Sequence, residues 1–208
     1  MKKLLCAMLC LGMMLGCSNK TDDSTEQKEE KEEVKEKTDQ EKYQDVLNKY
    51  KHKESGTYQV GKDIEAGNYV LFADTLGQLN SEFSVRKTEF DEGEVEIWET
   101  GFINYYIKLL KGDFIELDHC YLYNIEEAPT PYLDNVAGSF KVGRDIEAGN
   151  YIVKPAGENT YFSVYEELSS DKERNTVITN GIDFSTNKKV KLKKGQCILT
   201  QNCTLEKQ

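Results

Sequence analysis

The chain has 208 residues, a size that suits one medium domain or two small ones. It is acidic, with 37 acidic against 27 basic residues and a formal net charge of −10, so nucleic acid and anionic lipid surfaces repel it and nucleic-acid binding is not expected. Only two histidines, His52 and His119, are available for acid–base or metal chemistry.

The chain opens on Met1-Lys2-Lys3 and an apolar run from Leu4 to Leu15. That run is too short to span a bilayer, which takes about 20 residues, and it reads as a signal peptide over 1–16. It ends in Met14-Leu15-Gly16-Cys17, a small residue before a cysteine with polar residues following at once. This segment resembles the lipobox of bacterial lipoproteins. The resemblance implies lipidation of Cys17 by a diacylglycerol thioether, cleavage before it, and a place on the extracytoplasmic face of a cell membrane, with a leaning toward a Gram-positive envelope. An ordinary secretory signal with a stray cysteine, or an uncleaved anchor, is the alternative. Each buried methylene of an acyl chain contributes about 0.8 kcal/mol, so two or three chains on one cysteine hold a protein without a spanning helix. Loss of Lys2 and Lys3 with the leader makes the remainder two charges more negative.

Residues 17–38 are nearly all polar or charged, with Val34 the only aliphatic residue after the cysteine. Such a segment cannot offset its ordering entropy by burial, and it reads as a charged, disordered, lipid-anchored linker. Thr38-Asp39-Gln40-Glu41 then has the form of a capping box, and Tyr43, Val46, Leu47 and Tyr50 follow at the spacing of one helical face. The pattern predicts a short amphipathic helix from about 39 to 53, within the segment 39–54, closed by Ser55-Gly56 and docked on the first β domain.

Val60 to Tyr69 reads VGKDIEAGNY and Val142 to Tyr151 reads VGRDIEAGNY, nine identities in ten at an offset of 82 residues. Looser matches continue downstream: Phe83-Ser84-Val85 with Phe162-Ser163-Val164, the Lys-Gly turns at 111–112 and 194–195, and Cys120-Tyr121-Leu122 with Cys203-Thr204-Leu205. The chain is therefore read as two copies of one unit, 56–132 and 138–208. Short alternating runs between Gly, Asn, Asp and Lys-Gly turns, about ten residues apart, predict an all-β fold of two tandem small sandwich-like or barrel-like domains. Within the motif, Gly61 and Gly67, with Gly143 and Gly149 in the second copy, suit positive φ at turns. Asp63 and Asp145 suit hydrogen bonds to nearby amides, and Ile64 suits the core. The motif resembles that of a small β domain found in bacterial secreted proteins and lipoproteins, in which proline often stands where this chain has Glu65 and Glu147. The resemblance implies a fold and an extracytoplasmic setting, and it implies no activity.

Beyond Cys17, Cys120, Cys197 and Cys203 are odd in number. A hairpin centred on Thr200 would set Cys197 opposite Cys203, so a disulfide there is one reading and two small buried thiols the other. His119 with the cysteines is a poor metal set because no ligand-pair spacing recurs, and the repeated carboxylates Asp63/Glu65 and Asp145/Glu147 read as turn caps. No cofactor and no catalytic residue are expected. Comparison of the two copies marks Ile107 and Leu109, with Val190 and Leu192, as a core face. On the opposite face Tyr106, Leu110, Tyr121 and Tyr123 are apolar or aromatic in the first copy alone. These four are candidate interface residues, either covered from within by the helix or the second domain, or open as a platform for an envelope protein or glycan. Aligned with Ile178, Trp98 is expected in the core. The function expected is a non-catalytic binding or interaction module at the cell envelope, whose partners are the membrane, through Cys17, and an envelope protein or glycan. An envelope hydrolase or metal-dependent enzyme using the acidic loops, and a spacer with no ligand, are the alternatives.

Overall fold

Strand-length runs of β-branched and aromatic residues, broken by turns, give seven strands from each copy of the motif among the described residues. A computed structural model describes residues 36–77, 80–88, 94–131 and 137–208; the signal peptide, Cys17 and nearly all of the linker lie outside them. The first copy runs β1 (Gly56–Gln59), β2 (Gly67–Ala73), β3 (Glu82–Arg86), β4 (Val95–Thr100), β5 (Asn104–Leu109), β6 (Phe114–Asp118) and β7 (Cys120–Asn124). The second runs β8 (Ala137–Lys141), β9 (Gly149–Pro155), β10 (Tyr161–Tyr165), β11 (Val177–Ile182), β12 (Lys188–Leu192), β13 (Cys197–Gln201) and β14 (Cys203–Lys207).

The two copies have one topology. A four-stranded sheet ordered β1-β6-β3-β4 recurs as β8-β13-β10-β11, and a three-stranded sheet ordered β5-β2-β7 recurs as β12-β9-β14. Side chains from both sheets of a copy merge into one core: Leu71, Ile107 and Leu122 meet Phe83, Val85 and Ile115 in the first, and Val153, Val190 and Leu192 meet Phe162, Val164 and Ile198 in the second. The fold is all-β, two tandem sandwiches.

The repeated motif is the corner that joins the sheets. Gly61 and Gly143 have φ of 94° and 93°, a left-handed conformation that costs a residue with a Cβ about 1–2 kcal/mol. Their amides donate to the carbonyls of Ile64 and Ile146, and Asp63 Oδ2 and Asp145 Oδ2 accept from the amides of Gln59 and Lys141 at 2.8 and 2.7 Å. The Lys-Gly turns lie against these corners: Gly112 N donates to Val60 O and Gly195 N to Val142 O. A Cβ on Gly61 or Gly143 would press on the stem of Lys111 or Lys194, at 2.9 and 2.8 Å. Gly67 departs from expectation, since it has no positive φ, and Gly149, at 158°, is all but extended. Both sit where a strand begins, and the turn is completed upstream of them.

The helix α1 (Asp39–Leu47) begins at the expected capping box, with Glu41 N donating to Thr38 Oγ1 at 3.2 Å and Thr38 N to Glu41 Oε2 at 2.7 Å. It ends at Leu47, six residues before the expected point. Lys53 is needed in extended form, exchanging both backbone hydrogen bonds with Leu122 on the edge of β7 at 2.9 Å, and a helix continued through 53 would forfeit them. Tyr43 and Leu47 are buried on the first sandwich, while Tyr50, beyond the helix, is 39% exposed. The Tyr43 hydroxyl donates to Ala73 O at 2.8 Å.

The second sandwich meets the first along β5 and β8. Lys108 exchanges backbone hydrogen bonds with Leu168 O and Ser170 N at 2.8 and 2.9 Å, and Tyr106 N donates to Ser139 Oγ at 2.7 Å. Asn104, fully buried, donates to Ser139 O, and no Cβ fits at Gly138 against its side chain. Asp113, 1% exposed, accepts from Lys87 Nζ at 2.6 Å and from the hydroxyl of Ser170.

Candidate functional site

Strand register explains why the four outward residues of the first copy are apolar. Tyr106, Tyr121 and Tyr123 share the outer face of the β5-β2-β7 sheet with Val70 and Phe72. Tyr123 is fully buried, donating to Leu47 O at 3.2 Å with its ring edge-on to Phe72 at 5.6 Å. Tyr106 is 4% exposed beneath Arg144 of the second copy. Tyr121 is half-buried with the His52 ring 4.7 Å away, and Leu110 is half-buried beside the Asp113 turn. The helix and the second sandwich cover this surface from within. An open aromatic platform would need Tyr106 and Tyr123 in solvent, and both are buried. Among the described residues the second copy has no such helix, and its outer face carries Lys154 paired with Glu206.

Two further expectations fail on register. Ser84 lies opposite Trp98, whereas its counterpart Ser163 lies opposite Asn180, so Trp98 corresponds to Asn180 rather than Ile178. Trp98 is 62% exposed, its Nε1 donating to Glu82 Oε1 at 3.0 Å. The hairpin centred on Thr200 does not form. Strand β13 pairs with β8 and β10, and the chain then passes through Asn202, at φ 50°, into β14 of the other sheet. Cys197 packs with the core cluster of the first copy and Cys203 with that of the second, and both are free thiols, as is Cys120. Burial holds the thiols of Cys120 and Cys197 up at about 12.

The contact between the copies leaves a cleft of about 300 Å³. One wall is the rim of the first sandwich: Glu99 at the end of β4, Phe102 in the turn and Tyr105 on β5. The other is the outer face of the second copy's four-stranded sheet, with Tyr161 and Tyr165 on β10 and Leu199 on β13. Alternation sends Phe162 and Val164 into the core and turns Tyr161 and Tyr165 outward. The Tyr105 hydroxyl donates to Glu99 Oε1 at 3.1 Å, and the hydroxyls of Tyr161 and Tyr165 lie 3.2 Å apart. Burial raises the Glu99 carboxyl above the ordinary carboxylate value, opposed by the Tyr105 hydrogen bond. Burial and then the Glu99 charge push the Tyr105 phenol well up, and burial above all lifts Tyr165 to about 12.

No family model, curated protein or solved structure matches this chain. Register places Tyr161, Tyr165 and Leu199 where the first copy has Glu82, Arg86 and Glu116. The same register sets Glu99 and Tyr105 against Gly181 and Lys188 of the second copy. The aromatic wall and the carboxylate rim are each present in one copy only, and they are the two surfaces that face each other. Apolar walls with a few convergent polar groups make a binding site for a small molecule or an exposed chemical group.

Proposed function

We propose that this chain is a lipid-anchored, non-catalytic binding module on the extracytoplasmic face of a cell membrane, and that the cleft between its repeats takes the ligand. The cleft carries the reading: a half-buried carboxylate, three tyrosines and a leucine converge where the copies meet, at positions where the other copy has a different chemistry. A repeat that serves only as a spacer has no need of a carboxylate held in its junction against a desolvation cost. The anchor reading comes from Cys17 behind its apolar leader. Tethering at the N-terminus through a charged linker would leave the two sandwiches free to sample the envelope.

Two measurements test this. Cys17→Ala should move the protein from the membrane pellet to the soluble fraction, and persistence in the pellet would remove the anchor. For the cleft, the full chain in detergent micelles is melted with and without a small-molecule extract of the cell envelope. The extract should raise the melting temperature of the wild type but not of Thr100→Trp, which fills the mouth of the cleft from an exposed position. An equal rise in both places binding elsewhere, and no rise in either removes the binding function.

A further inference from the structure

Resting on that reading, we infer that the cleft between the repeats binds an organic ammonium group, with Glu99, held by the Tyr105 hydroxyl, as its counter-charge and Tyr161 and Tyr165 as the rings beside it. Among the described residues that line the cleft, Glu99 alone is charged, and none of them is Lys, Arg or His. Its partner is the Tyr105 hydroxyl, which leaves acceptor capacity on the carboxylate. A carboxylate in an uncharged, partly desolvated pocket favours a cation and rejects an anion.

The tyrosines narrow the class further. A phenol ring attracts a cation over its face, and a cleft walled by two such rings, Tyr161 and Tyr165, suits a diffuse, weakly hydrated ammonium better than a bare metal ion, which asks for hard oxygen ligands. Glu99 is close enough to both Tyr105 and Tyr165 for its charge to raise their phenols, so carboxylate and rings share one space. The opposite rim gives an internal comparison. At the equivalent positions the second copy has Gly181 and Lys188, which remove the carboxylate and add a positive charge. The cation-attracting pair was kept or gained only on the rim that the other copy's tyrosines cover. The protein's net charge of −10 would draw a cation toward this site in dilute salt.

The test uses the full chain in non-ionic detergent micelles, with choline chloride as probe, glucose as the neutral control and sodium chloride as the ionic-strength control, followed by calorimetric titration. Choline should bind saturably while glucose and sodium do not. Glu99→Gln, which keeps size and removes charge, should weaken choline binding by roughly tenfold or more, and Thr100→Trp should abolish it. Tyr161→Phe, which keeps the ring, should retain most of the affinity, and Tyr161→Ala should lose it. If Glu99→Gln fails to fold, Tyr161→Ala and Thr100→Trp carry the same comparison. Equal affinity for choline and glucose, or wild-type binding by either folded charge or ring variant, overturns the ammonium assignment. If choline does not bind but the envelope extract still stabilises the wild type and not Thr100→Trp, the ligand class is wrong and the binding module stands. If neither has an effect, both fall.

Discussion

Arg144 Nη1 donates to the Tyr106 hydroxyl across the repeat boundary at 2.6 Å, and Arg144 is the single position at which the two ten-residue motifs differ. Its other nitrogen, Nη2, reaches Ala128 O at 2.8 Å and Pro129 O at 3.2 Å on the segment that joins the copies. The first copy has Lys62 here, exposed. One guanidinium thus ties the second corner to the first sandwich and to the connecting chain, a fork that a lysine's single ammonium cannot reproduce. Arg144→Lys should cost about 1–3 kcal/mol in urea unfolding, whereas Lys62→Arg should change stability by less than about 0.5 kcal/mol. Equal effects at the two sites would deny the link.

Tyr123 is the post on which the helix stands. Tyr123→Ala should cost about 3–5 kcal/mol, the range for removing a large buried ring, with near-ultraviolet circular dichroism reporting the loosened packing. Tyr50→Ala, beyond the helix and 39% exposed, should fall within about 0.5 kcal/mol of wild type. A mild Tyr123→Ala would mean that the helix does not dock there.

The three buried thiols should be silent. With Cys120 and Cys197 held at about 12 by burial, little thiolate exists at pH 8 and the sulfurs are enclosed. Peptide mapping after maleimide treatment should find Cys120, Cys197 and Cys203 labelled only once the protein is unfolded. A mass two hydrogens short on the peptides holding Cys197 and Cys203 would instead establish the bridge that their geometry excludes.

Glu99 should trade stability for its place in the cleft. Burial raises its folded carboxyl value, so only between the ordinary carboxylate value and the raised one does the native state hold a proton that the unfolded chain has released; above both, the carboxylate is charged in either state. Stability therefore declines as pH rises through the window between the ordinary carboxylate value and the raised one. Glu99→Gln should melt higher than wild type at pH 7, and the difference should vanish below pH 4. A constant difference across that range would show that the charge is not what costs stability.

The motif glycines differ in what they tolerate. Gly61→Ala forces a Cβ into left-handed backbone against the stem of Lys111 and should cost about 1–2 kcal/mol. Gly67→Ala meets nothing nearer than the Tyr69 ring at 3.9 Å and should be nearly neutral by thermal melting. Equal losses would make both turn glycines.

Much of the fold was legible because duplication supplied an internal control. VG(K/R)DIEAGNY, the Lys-Gly turns and the Cys-x-Leu strands mark positions that both sandwiches need, and the periodicity of Ile107/Leu109 against Val190/Leu192 gave the core face. What failed was register. A two-residue slip aligned Trp98 with Ile178 instead of its counterpart Asn180, and the five residues between Cys197 and Cys203 looked like a hairpin although Asn202 carries the chain between sheets. The cleft was hidden for a different reason. Its signal lies in comparing Tyr161, Tyr165 and Leu199 with Glu82, Arg86 and Glu116, and in knowing that this face meets Glu99 and Tyr105, a contact between segments more than fifty residues apart that no local pattern encodes.

Strand β12 has a bearing on what the second sandwich can pair with. Its twin, β5, gives its outer edge to the next sandwich, but β12 presents Lys188, Lys189 and Lys191 to water. An edge crowded with ammonium groups resists pairing with another strand, so this flank of the second sandwich stays in water. Of the pair, the second wears the coat of a free-standing domain, and the first has exchanged that coat for a neighbour.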